Sequence, residues 1–389
     1  MAAFAGGLDA ARRVLAERFG HPRFRLHQVR VLGPLLGGRN VLAVLPTGAG
    51  KSLCYQVPAL LASGLTLVVS PLISLMQDQV AALRRRGIAA VYLNSQLDAD
   101  QRRTVRTAAL EGRVTLLYCA PEGLRSLIPR LRAAHVRVAL LAVDEAHCIV
   151  EWGNEFRPVY RRLGEYRYLL GDPPTIALTG SATPAARAEI LSVLRLGGGA
   201  ETIVTSFDRP NLRFGVRRIP DDRERFRLIR ALTREGGDPG VSLIYAPTRR
   251  LTELVTRALL RTSVRAAPYH AGLATGVRRR VLGAFLADRV SVIVATSAFG
   301  MGIDKPDVRR VLHWGPPRTL EAYYQEAGRA GRDGQPAECL VLWRPADLVW
   351  GDITPAMRRY VEARRCRRRT LLEYFGETFE RCSGCDVCG

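Results

Sequence analysis

The sequence has almost no lysine. Of its 58 basic residues only Lys51 and Lys305 are lysine, and all the others are arginine. An ammonium is a compact point charge whereas a guanidinium is a planar fork, so a retained lysine suggests a position where only the compact charge works. The two lysines lie in LPTGAGKS and AFGMGIDKPDV, which marks these segments for closer inspection.

The sequence also lacks a long apolar run. No run approaches the roughly 20 residues of a membrane-spanning helix. Residues 1–20 contain Asp9 and Glu17 instead of the apolar block and cleavage site of a signal peptide. We therefore expect a cytosolic protein with no membrane partner. The formal net charge of +22 favours polyanionic partners, nucleic acid first, although a basic soluble enzyme is an alternative on charge alone.

Short β-rich apolar runs alternate with helical stretches, which is the pattern of parallel sheets covered by helices. The runs form two series, with a break near Phe207 where the turn DRPN follows. A chain of 389 residues also suits two or three domains. We predict an α/β protein with two tandem parallel-sheet domains, 1–207 and 208–341, and a helical, arginine-rich, cysteine-containing segment, 342–389.

The segment LPTGAGKS joins a predicted strand to a predicted helix through a glycine-rich turn, the context that a phosphate loop requires. Its glycines allow backbone N–H groups to turn toward phosphates, Lys51 reaches the outer phosphates, and Ser52 is a ligand for Mg²⁺. Leu45 stands where the full pattern has its first glycine, and a turn without function is the alternative. The predicted ATP contacts are Thr47, Gly48, Ala49, Gly50, Lys51 and Ser52.

The run VALLAVDEAH ends in two carboxylates, Asp144 and Glu145. It predicts that they lie at the C-terminal end of a strand, where parallel α/β sheets bind ligands. Asp144 is then expected to hold Mg²⁺ through water, and Glu145 to polarise the attacking water. An acidic pair after a strand means little alone, but together with the phosphate loop it predicts ATP hydrolysis.

Four of the eight cysteines lie within the last 24 residues. One cysteine is followed after fifteen residues by two CxxC steps, a spacing that suits four thiolate ligands of a structural Zn²⁺. Disulfides are the weaker interpretation in a cytosolic enzyme. The run RRCRRR, Arg364–Arg369, indicates either a solvated face or a contact with a duplex backbone. The predicted zinc ligands are Cys366, Cys382, Cys385 and Cys388.

With PTGAGKS, DEAH and YYQEAGRAGRDG, the sequence resembles the superfamily-two helicases and, within them, the RecQ family of DNA helicases. FGHPRFRLHQ, VVSPLISLMQDQV, ALTGSAT, YHAGL, AFGMGIDKPDV and the terminal cysteines all fall in family order. The resemblance runs from about residue 10 to the last cysteine. It implies two RecA-like domains with ATP bound between them, followed by a zinc-binding subdomain.

The resemblance assigns catalytic roles to QEAGRAGR. Arg329 and Arg332 match arginines aimed at the γ-phosphate, an arrangement worth roughly 10³ to 10⁵ in rate where arginine fingers are measured. Gln325 matches a residue that helps to position them. Without the family, two arginines three apart on a helix would suggest a solvated face. Asp304 and Lys305 match the family's second-domain motif near the ATP cleft, and Gly302 and Asp304 are the predicted nucleotide contacts there.

The resemblance also implies how adenine is bound. Gln28 matches the residue that reads the base edge in the family's adenine-binding motif, with Arg25 and an aromatic residue packing on the base. His21 stands at that aromatic position in this chain, and an imidazole stacks less extensively than a tyrosine. The stretch 179–183 matches the motif that links hydrolysis to movement.

EWGNEFRP resembles the aromatic-rich loop through which RecQ proteins couple DNA contact to hydrolysis. Trp152 and Phe156 offer flat faces for unstacked bases, each worth about 1 to 3 kcal/mol in such sites, and Arg157 adds charge. The family usually has His-Asp where this chain has Asn154 and Glu155. Phosphate contacts in this class come from loop backbone and small hydroxyls. The residues nominated for them are Ser70, Ser74, His270, Gly272 and Thr296.

The resemblance implies an ATP-dependent 3′-to-5′ helicase acting on single-stranded and on tailed or forked duplex DNA in repair and recombination. Bacterial relatives typically continue past the cysteine cluster into a winged-helix domain. A translocase or DNA-binding module with weak strand separation is therefore one alternative, and an RNA-dependent ATPase of the same superfamily is another. The sequence identifies no protein partner.

Overall fold

The β-rich runs of the sequence form two separate parallel sheets in the computed structural model of the protein. The structure describes residues 4–46, 48–151, 157–234, 240–300, 305–350 and 352–389. The chain divides into two units, Met1–Ser206 and Phe207–Gly389, each with one sheet. The predicted α/β class with two parallel-sheet domains is confirmed. No helix in the described ranges is long and apolar enough to cross a bilayer.

The first sheet has seven parallel strands in the order β3-β4-β2-β5-β6-β1-β7. Its central strands are buried along their whole length because helices cover both faces. The strands are β1 Val41–Val44, β2 Leu65–Val69, β3 Ala90–Leu93, β4 Leu116–Cys119, β5 Val138–Val143, β6 Thr175–Thr179 and β7 Glu201–Val204. The helices are α1 Gly7–Phe19, α2 Leu26–Leu36, α3 Leu53–Ala59, α4 Ile73–Arg85, α5 Ala99–Leu110, α6 Pro121–Ala133, α7 Cys148–Glu151, α8 Leu163–Leu169 and α9 Pro184–Val193.

The second sheet has six parallel strands in the order β10-β11-β9-β12-β13-β8. They are β8 Leu212–Arg218, β9 Val241–Tyr245, β10 Ala266–Tyr269, β11 Val292–Ala295, β12 Val308–Trp314 and β13 Ala337–Trp343. The helices are α10 Asp222–Arg234, α11 Arg249–Leu260, α12 Thr275–Leu286, α13 Leu320–Ala327, α14 Pro345–Trp350, α15 Pro355–Glu362 and α16 Arg367–Tyr374.

Threonine side chains start three helices of the second unit. Thr248, Thr319 and Thr354 precede α11, α13 and α15, and each hydroxyl accepts a hydrogen bond from the third backbone N–H of its helix. Such a cap stabilises a helix by about 1 kcal/mol. Local sequence therefore fixes where these helices begin.

The cysteine-rich segment is joined to the edge strand β8 of the second sheet. Cys385 pairs with Phe214 in a parallel bridge, and the backbone N–H of Asp386 donates to the Phe214 carbonyl at 3.0 Å. The Asp386 carboxylate accepts from the backbone N–H of Val216 at 3.0 Å and from Arg367 Nε at 2.9 Å. The segment is thus an extension of the second unit.

The apolar runs did not predict strands β3, β7 and β8. All three lie at sheet edges, where one side has no neighbouring strand. Residues of each are exposed or half-buried. The sequences of β7 and β8 contain charged residues, whereas β3, AVYL, is apolar throughout. Edge position therefore explains why β7 and β8 were missed, whereas β3 was missed in spite of its apolar sequence.

Candidate functional site

Residues 45–46 and 48–52 of LPTGAGKS connect β1 to α3. Gly48 and Gly50 have φ angles of +82° and +74°, which lie in a backbone region that residues with a Cβ rarely adopt. The ammonium of Lys51 lies over the start of the loop, where Nζ donates to the carbonyls of Leu45 and Pro46 at 3.3 and 3.4 Å. The geometry is that of a phosphate loop, with a cation at its mouth.

Side chains of α2 and the residue before it brace this loop. Arg25 Nη1 donates to the Gly48 carbonyl at 2.7 Å, and Gln28 Nε2 donates to the Gly50 carbonyl at 3.1 Å. Gln28 is 3% exposed, and its amide oxygen accepts from the Arg25 backbone N–H at 2.9 Å. These contacts place two predicted adenine-binding residues against the phosphate loop. His21 is exposed, and base recognition by the three residues stays a prediction.

The predicted carboxylates stand at the C-terminal end of β5. Asp144 is 5% exposed, and burial, together with repulsion by Glu145, raises its pKa to about 7 even though Lys51 acts in the opposite direction. Glu145 adopts a positive φ of 50°, and its backbone N–H donates to Asp144 Oδ1 at 3.0 Å. A buried carboxylate of this kind gains stability from a cation, which fits a Mg²⁺ ligand.

His147 links the carboxylates to the stretch ALTGSAT. Its Nδ1 lies 3.0 Å from Thr179 Oγ1 and 3.4 Å from Glu145 Oε2. The Thr179 carbonyl accepts from the backbone N–H of Leu45 at 3.0 Å, so the same residue also contacts the start of the phosphate loop. Thr183 has a different task, since its hydroxyl caps α9.

The sequence patterns did not predict a buried hydroxyl chain behind Ser52. The Tyr55 hydroxyl is hydrogen-bonded to the Ser52 side chain. The Tyr118 hydroxyl lies 3.4 Å from the Tyr55 hydroxyl. Gln56 Nε2 continues the chain to Tyr118 and to Gln79 Oε1 of α4, at 3.2 and 2.7 Å. The sequence gives only a weak indication of this chain, because buried tyrosines and glutamines resemble ordinary core residues.

The predicted arginine fingers do not lie on a helix. Helix α13 ends at Ala327, and Arg329 and Arg332 occupy the turns that follow it, while Gln325 is in its last turn. Arg329 is 8% exposed. A solvated helix face, the alternative without the family, therefore does not hold for either arginine, because the helix ends at Ala327, directly before Gly328. Their action on a phosphate stays a prediction.

Two residues of the turn DRPN hold this arginine segment. Arg209 Nη2 donates to the carbonyls of Ala330 and Gly331 at 3.0 and 2.9 Å. Asn211 Nδ2 donates to the Gly331 carbonyl at 2.8 Å. Gly331 has a φ of +54°, and a Cβ there would lie 2.5 Å from Asn211 Nδ2. The sequence marked this turn only as a break, so its role as a brace was missed.

The residues nominated for phosphate contacts differ in their exposure. Ser74 is exposed in the first turn of α4, whereas Ser70 is 1% exposed and its side chain does not reach the surface. Arg157 Nη1 donates to the Pro71 carbonyl at 2.9 Å and its Nε lies 3.1 Å from Glu122. Ser74 and Arg157 lie at the part of the first unit predicted to contact DNA.

The nominated residues of the second unit lie after β10 and β11. His270 is 3% exposed, with Nε2 3.3 Å from Glu253 Oε1, so its side chain is not presented for a phosphate. Gly272 is exposed, and a Cβ there would be in tight contact, at 3.2 Å, with the side chains of Arg249 and His270. Thr296 follows β11 directly and is half-buried. Gly272 and Thr296 therefore remain the two positions of the second unit predicted to contact a phosphate, through the backbone or a hydroxyl.

Several predicted residues fall outside the ranges that the structure describes. They are Thr47 of the phosphate loop, Trp152, Asn154, Glu155 and Phe156 of the aromatic-rich loop, and Gly302 and Asp304 of AFGMGIDKPDV. Lys305, next to the last of these, is buried, and its Nζ donates to Asp288 and Asp307 at 2.8 and 3.2 Å.

The four C-terminal cysteines converge. The Sγ atoms of Cys366, Cys382, Cys385 and Cys388 all lie within 4.8 Å of one another. Tetrahedral Zn²⁺ with Zn–S bonds of about 2.3 Å sets neighbouring sulfurs roughly 3.8 Å apart, so the cluster fits this ion. Burial alone would raise the pKa of Cys385, but backbone N–H donors of residues 367, 387 and 388 lower it to about 7, which favours its thiolate. The pKa values of Cys382 and Cys388 are instead raised, the first by burial and the second by hydrogen bonds with neighbouring thiols.

The arginine run around Cys366 is partly internal. Arg368 is 1% exposed, forms an ion pair with Asp208, and donates to the Leu212 carbonyl at 2.6 Å. Arg367 is buried as well and pairs with Asp386. Both expectations for the run, a solvated face or a duplex contact, are wrong for these two residues, because the fold uses their charges internally. The other three arginines of the run are exposed.

Three parts of the chain match described families. Residues 25–191 match the DEAD/DEAH box helicase family, residues 224–334 the helicase conserved C-terminal domain, and residues 354–389 the RecQ zinc-binding family. The last of these ranges contains the four cysteines.

Curated relatives and a solved structure agree with these matches. Proteins named ATP-dependent DNA helicase RecQ from Haemophilus influenzae and Bacillus subtilis are 42% and 39% identical over 96% and 98% of this chain. The chain spans 63% and 67% of their own lengths. The structure of helicase MrfA bound to DNA and AMPPNP has a TM-score of 0.73 and 19% identity, covering 97% of this chain and 54% of that one. At this identity the last likeness shows a shared fold.

Proposed function

The chain belongs to the RecQ family of helicases, and we propose that it is an ATP-dependent DNA helicase. It would couple ATP hydrolysis to 3′-to-5′ movement along single-stranded DNA and to the opening of tailed or forked duplexes, as required in DNA repair and recombination. The observation that carries the proposal is the convergence of Lys51, Asp144 and the His147–Thr179 pair at the C-terminal edge of the first sheet.

Each group at this edge has a defined task in hydrolysis. The Lys51 ammonium, held over the loop by two carbonyls, is free to exchange them for phosphate oxygens. Ser52 and Asp144 would hold Mg²⁺, which neutralises charge on the phosphates when bound. Glu145 would orient the attacking water, and His147 keeps its carboxylate in place through the 3.4 Å contact.

We further propose that Arg329 and Arg332 supply positive charge to the phosphates during hydrolysis, with Gln325 positioning them. Trp152 and Phe156 would stack on unpaired bases. Ser74, Arg157, Gly272 and Thr296 would contact the DNA backbone, which fixes the register of the strand without reading its sequence. Ser74 and Gly272 are exposed, Arg157 is half-buried, and Thr296 directly follows β11, unlike the buried side chains of Ser70 and His270.

The direct test is unwinding of a 3′-tailed duplex, with ATP hydrolysis followed in the same reaction. The controls are a 5′-tailed duplex and the variant Lys51→Ala. We expect ATP-dependent strand separation on the 3′ tail only, and loss of both activities in the variant while DNA binding remains. Hydrolysis that survives in Lys51→Ala would contradict the assignment of the nucleotide site.

Two other outcomes identify the alternatives. If single-stranded DNA stimulates hydrolysis and no strand separates, this chain is a DNA translocase. If RNA stimulates hydrolysis at least as well as DNA of the same sequence, the substrate class is RNA.

A further inference from the structure

Tyr245 connects two segments of the second unit. It is the last residue of β9, which lies between β11 and β12, and its ring is almost fully buried. Its hydroxyl donates to the carbonyl of Phe299 at 2.8 Å. Since a tyrosine hydroxyl has one hydrogen to donate, its second contact, to the guanidinium of Arg329, must be an accepted hydrogen bond. One oxygen atom therefore joins two parts of the chain.

The first of these parts is the short turn after β11, here named the 296–300 turn. The backbone N–H of Phe299 donates to the Thr296 carbonyl at 3.0 Å, and the Phe299 ring is buried against Phe285 and Tyr269. The turn is closed by its own hydrogen bonds and held by its ring. A displacement of Thr296 by a ligand would therefore move the Phe299 carbonyl as well.

The second part is the arginine segment after α13. Arg329 is nearly buried, and within the described ranges it forms no ion pair. A buried guanidinium usually has a carboxylate partner, whereas in the part of the chain that the structure describes this one is hydrogen-bonded to the neutral hydroxyl of Tyr245. A neutral partner fixes the direction of the cation without neutralising its charge, which then remains available for a phosphate.

A stacked histidine holds the Tyr245 ring in place. His313 of β12 stacks on it, with ring centroids 5.3 Å apart and planes within 18° of parallel. His313 Nε2 lies 3.0 Å from Glu326 Oε2 of α13, the helix that leads into the arginine segment. The hydroxyl oxygen therefore has one position relative to the sheet, as a positioning group requires.

We propose that Tyr245 is a positioning residue for Arg329, and that its hydroxyl transmits nucleic-acid contact at the 296–300 turn to the orientation of that arginine. The proposal rests on the proposed function, in which Thr296 contacts the DNA backbone and Arg329 acts on the phosphates. Tyr245 itself touches neither. Through Tyr245, the orientation of the Arg329 guanidinium depends on what the 296–300 turn binds.

The test is the isosteric variant Tyr245→Phe, which removes only the shared oxygen atom. Tyr360→Phe is the matched control, because Tyr360 is equally buried in the same unit and its hydroxyl bonds Tyr323 at 3.3 Å. ATP turnover is measured with and without single-stranded DNA, together with KM for ATP, DNA affinity and thermal midpoint.

Because a hydrogen bond to a charged group is lost, we expect DNA-stimulated kcat of Tyr245→Phe to fall about tenfold or more. KM for ATP and DNA affinity should stay within about twofold of wild type, since the oxygen contacts neither ligand. Tyr360→Phe should match wild type in all of these. In an Arg329→Ala background, Tyr245→Phe should have no further effect, because the hydroxyl then has no arginine to orient.

Three results would overturn the proposal. They are equal DNA stimulation in Tyr245→Phe and wild type, an equal loss in Tyr360→Phe, and an undiminished effect of Tyr245→Phe in the Arg329→Ala background. A wild-type chain whose ATP turnover ignores DNA would instead refute the proposed function. Turnover without DNA then still reports whether Tyr245 acts through Arg329.

Discussion

Replacing Asp144 with asparagine is expected to stabilise the protein in the absence of nucleotide, although it removes a carboxylate that we propose for Mg²⁺ binding. Asp144 is buried, faces the like charge of Glu145, and has its pKa raised from 3.8 to about 7. The folded state therefore holds the Asp144 proton more tightly than the unfolded state does. Its contribution to stability is complete below pH 3.8 and is lost as the pH rises through about 7.

The size of the expected stabilisation follows from the shift in the pKa of Asp144. A rise of roughly three pKa units corresponds to about 4 kcal/mol of lost stability at pH 8, because each unit is worth about 1.4 kcal/mol. An asparagine carries no charge at any pH and avoids this loss. For a folding unit of roughly 200 residues, where 1 kcal/mol shifts the midpoint by about 2 to 4 °C, we expect the thermal midpoint to rise by about 8 to 16 °C at pH 8. At pH 5, where Asp144 is mostly protonated in the folded state, the difference should shrink by more than half.

The assay is thermal unfolding of wild type and Asp144→Asn at pH 5 and pH 8, without Mg²⁺ or nucleotide. Asp100→Asn is the control, since Asp100 is an exposed carboxylate of the same unit, and it should change the free energy of unfolding by no more than about 0.5 kcal/mol. A midpoint of Asp144→Asn equal to or below that of wild type at pH 8 would refute the reasoning, as would a difference that does not depend on pH.

Three further predictions concern the second unit. Arg368→Met should cost about 3 to 5 kcal/mol of unfolding free energy in denaturant titrations because the fully buried guanidinium is the donor to the Asp208 carboxylate and to the carbonyls of Arg209 and Leu212, whereas the exposed Arg365→Met should be nearly neutral. Cys382→Ser, or removal of metal by a chelator, should lower the zinc content and the thermal midpoint of the second unit together; unchanged stability after zinc loss would contradict a structural metal. Gly331→Ala should cost about 1 to 3 kcal/mol and reduce ATP turnover, because its Cβ would displace Asn211; wild-type turnover would show that this brace does not matter.

The parts of the site that the sequence predicted are those built from neighbouring residues. The glycines of LPTGAGKS adopt the positive φ angles that such a loop needs, and the spacing of the cysteines brings their sulfurs together. Asp144 follows a fully buried strand, as its apolar run indicated. In each case short-range geometry decides the outcome, so the pattern is visible in the sequence.

The parts that were missed depend on distant partners. Arg368 looks like one more residue of a basic run, and only its carboxylate partner more than 150 residues away explains its burial. Asn211 and Gly331 form a brace that no local pattern announces. Tyr245 ends an ordinary apolar strand, and its hydroxyl acquires a role only because β9 lies between β11 and β12.

Joining the cysteine segment to β8 also affects the order in which the chain folds during synthesis. On the ribosome β8 is made before every other strand of its sheet, yet Asp386, which bonds Val216 within it, follows 170 residues later. Until Asp386 has been synthesised, the open edge of β8 offers unpaired backbone groups to other chains. A chain released early, before the cysteines, would therefore be a target for aggregation and for quality-control proteases, whereas all the strands of the first sheet are complete by Val204.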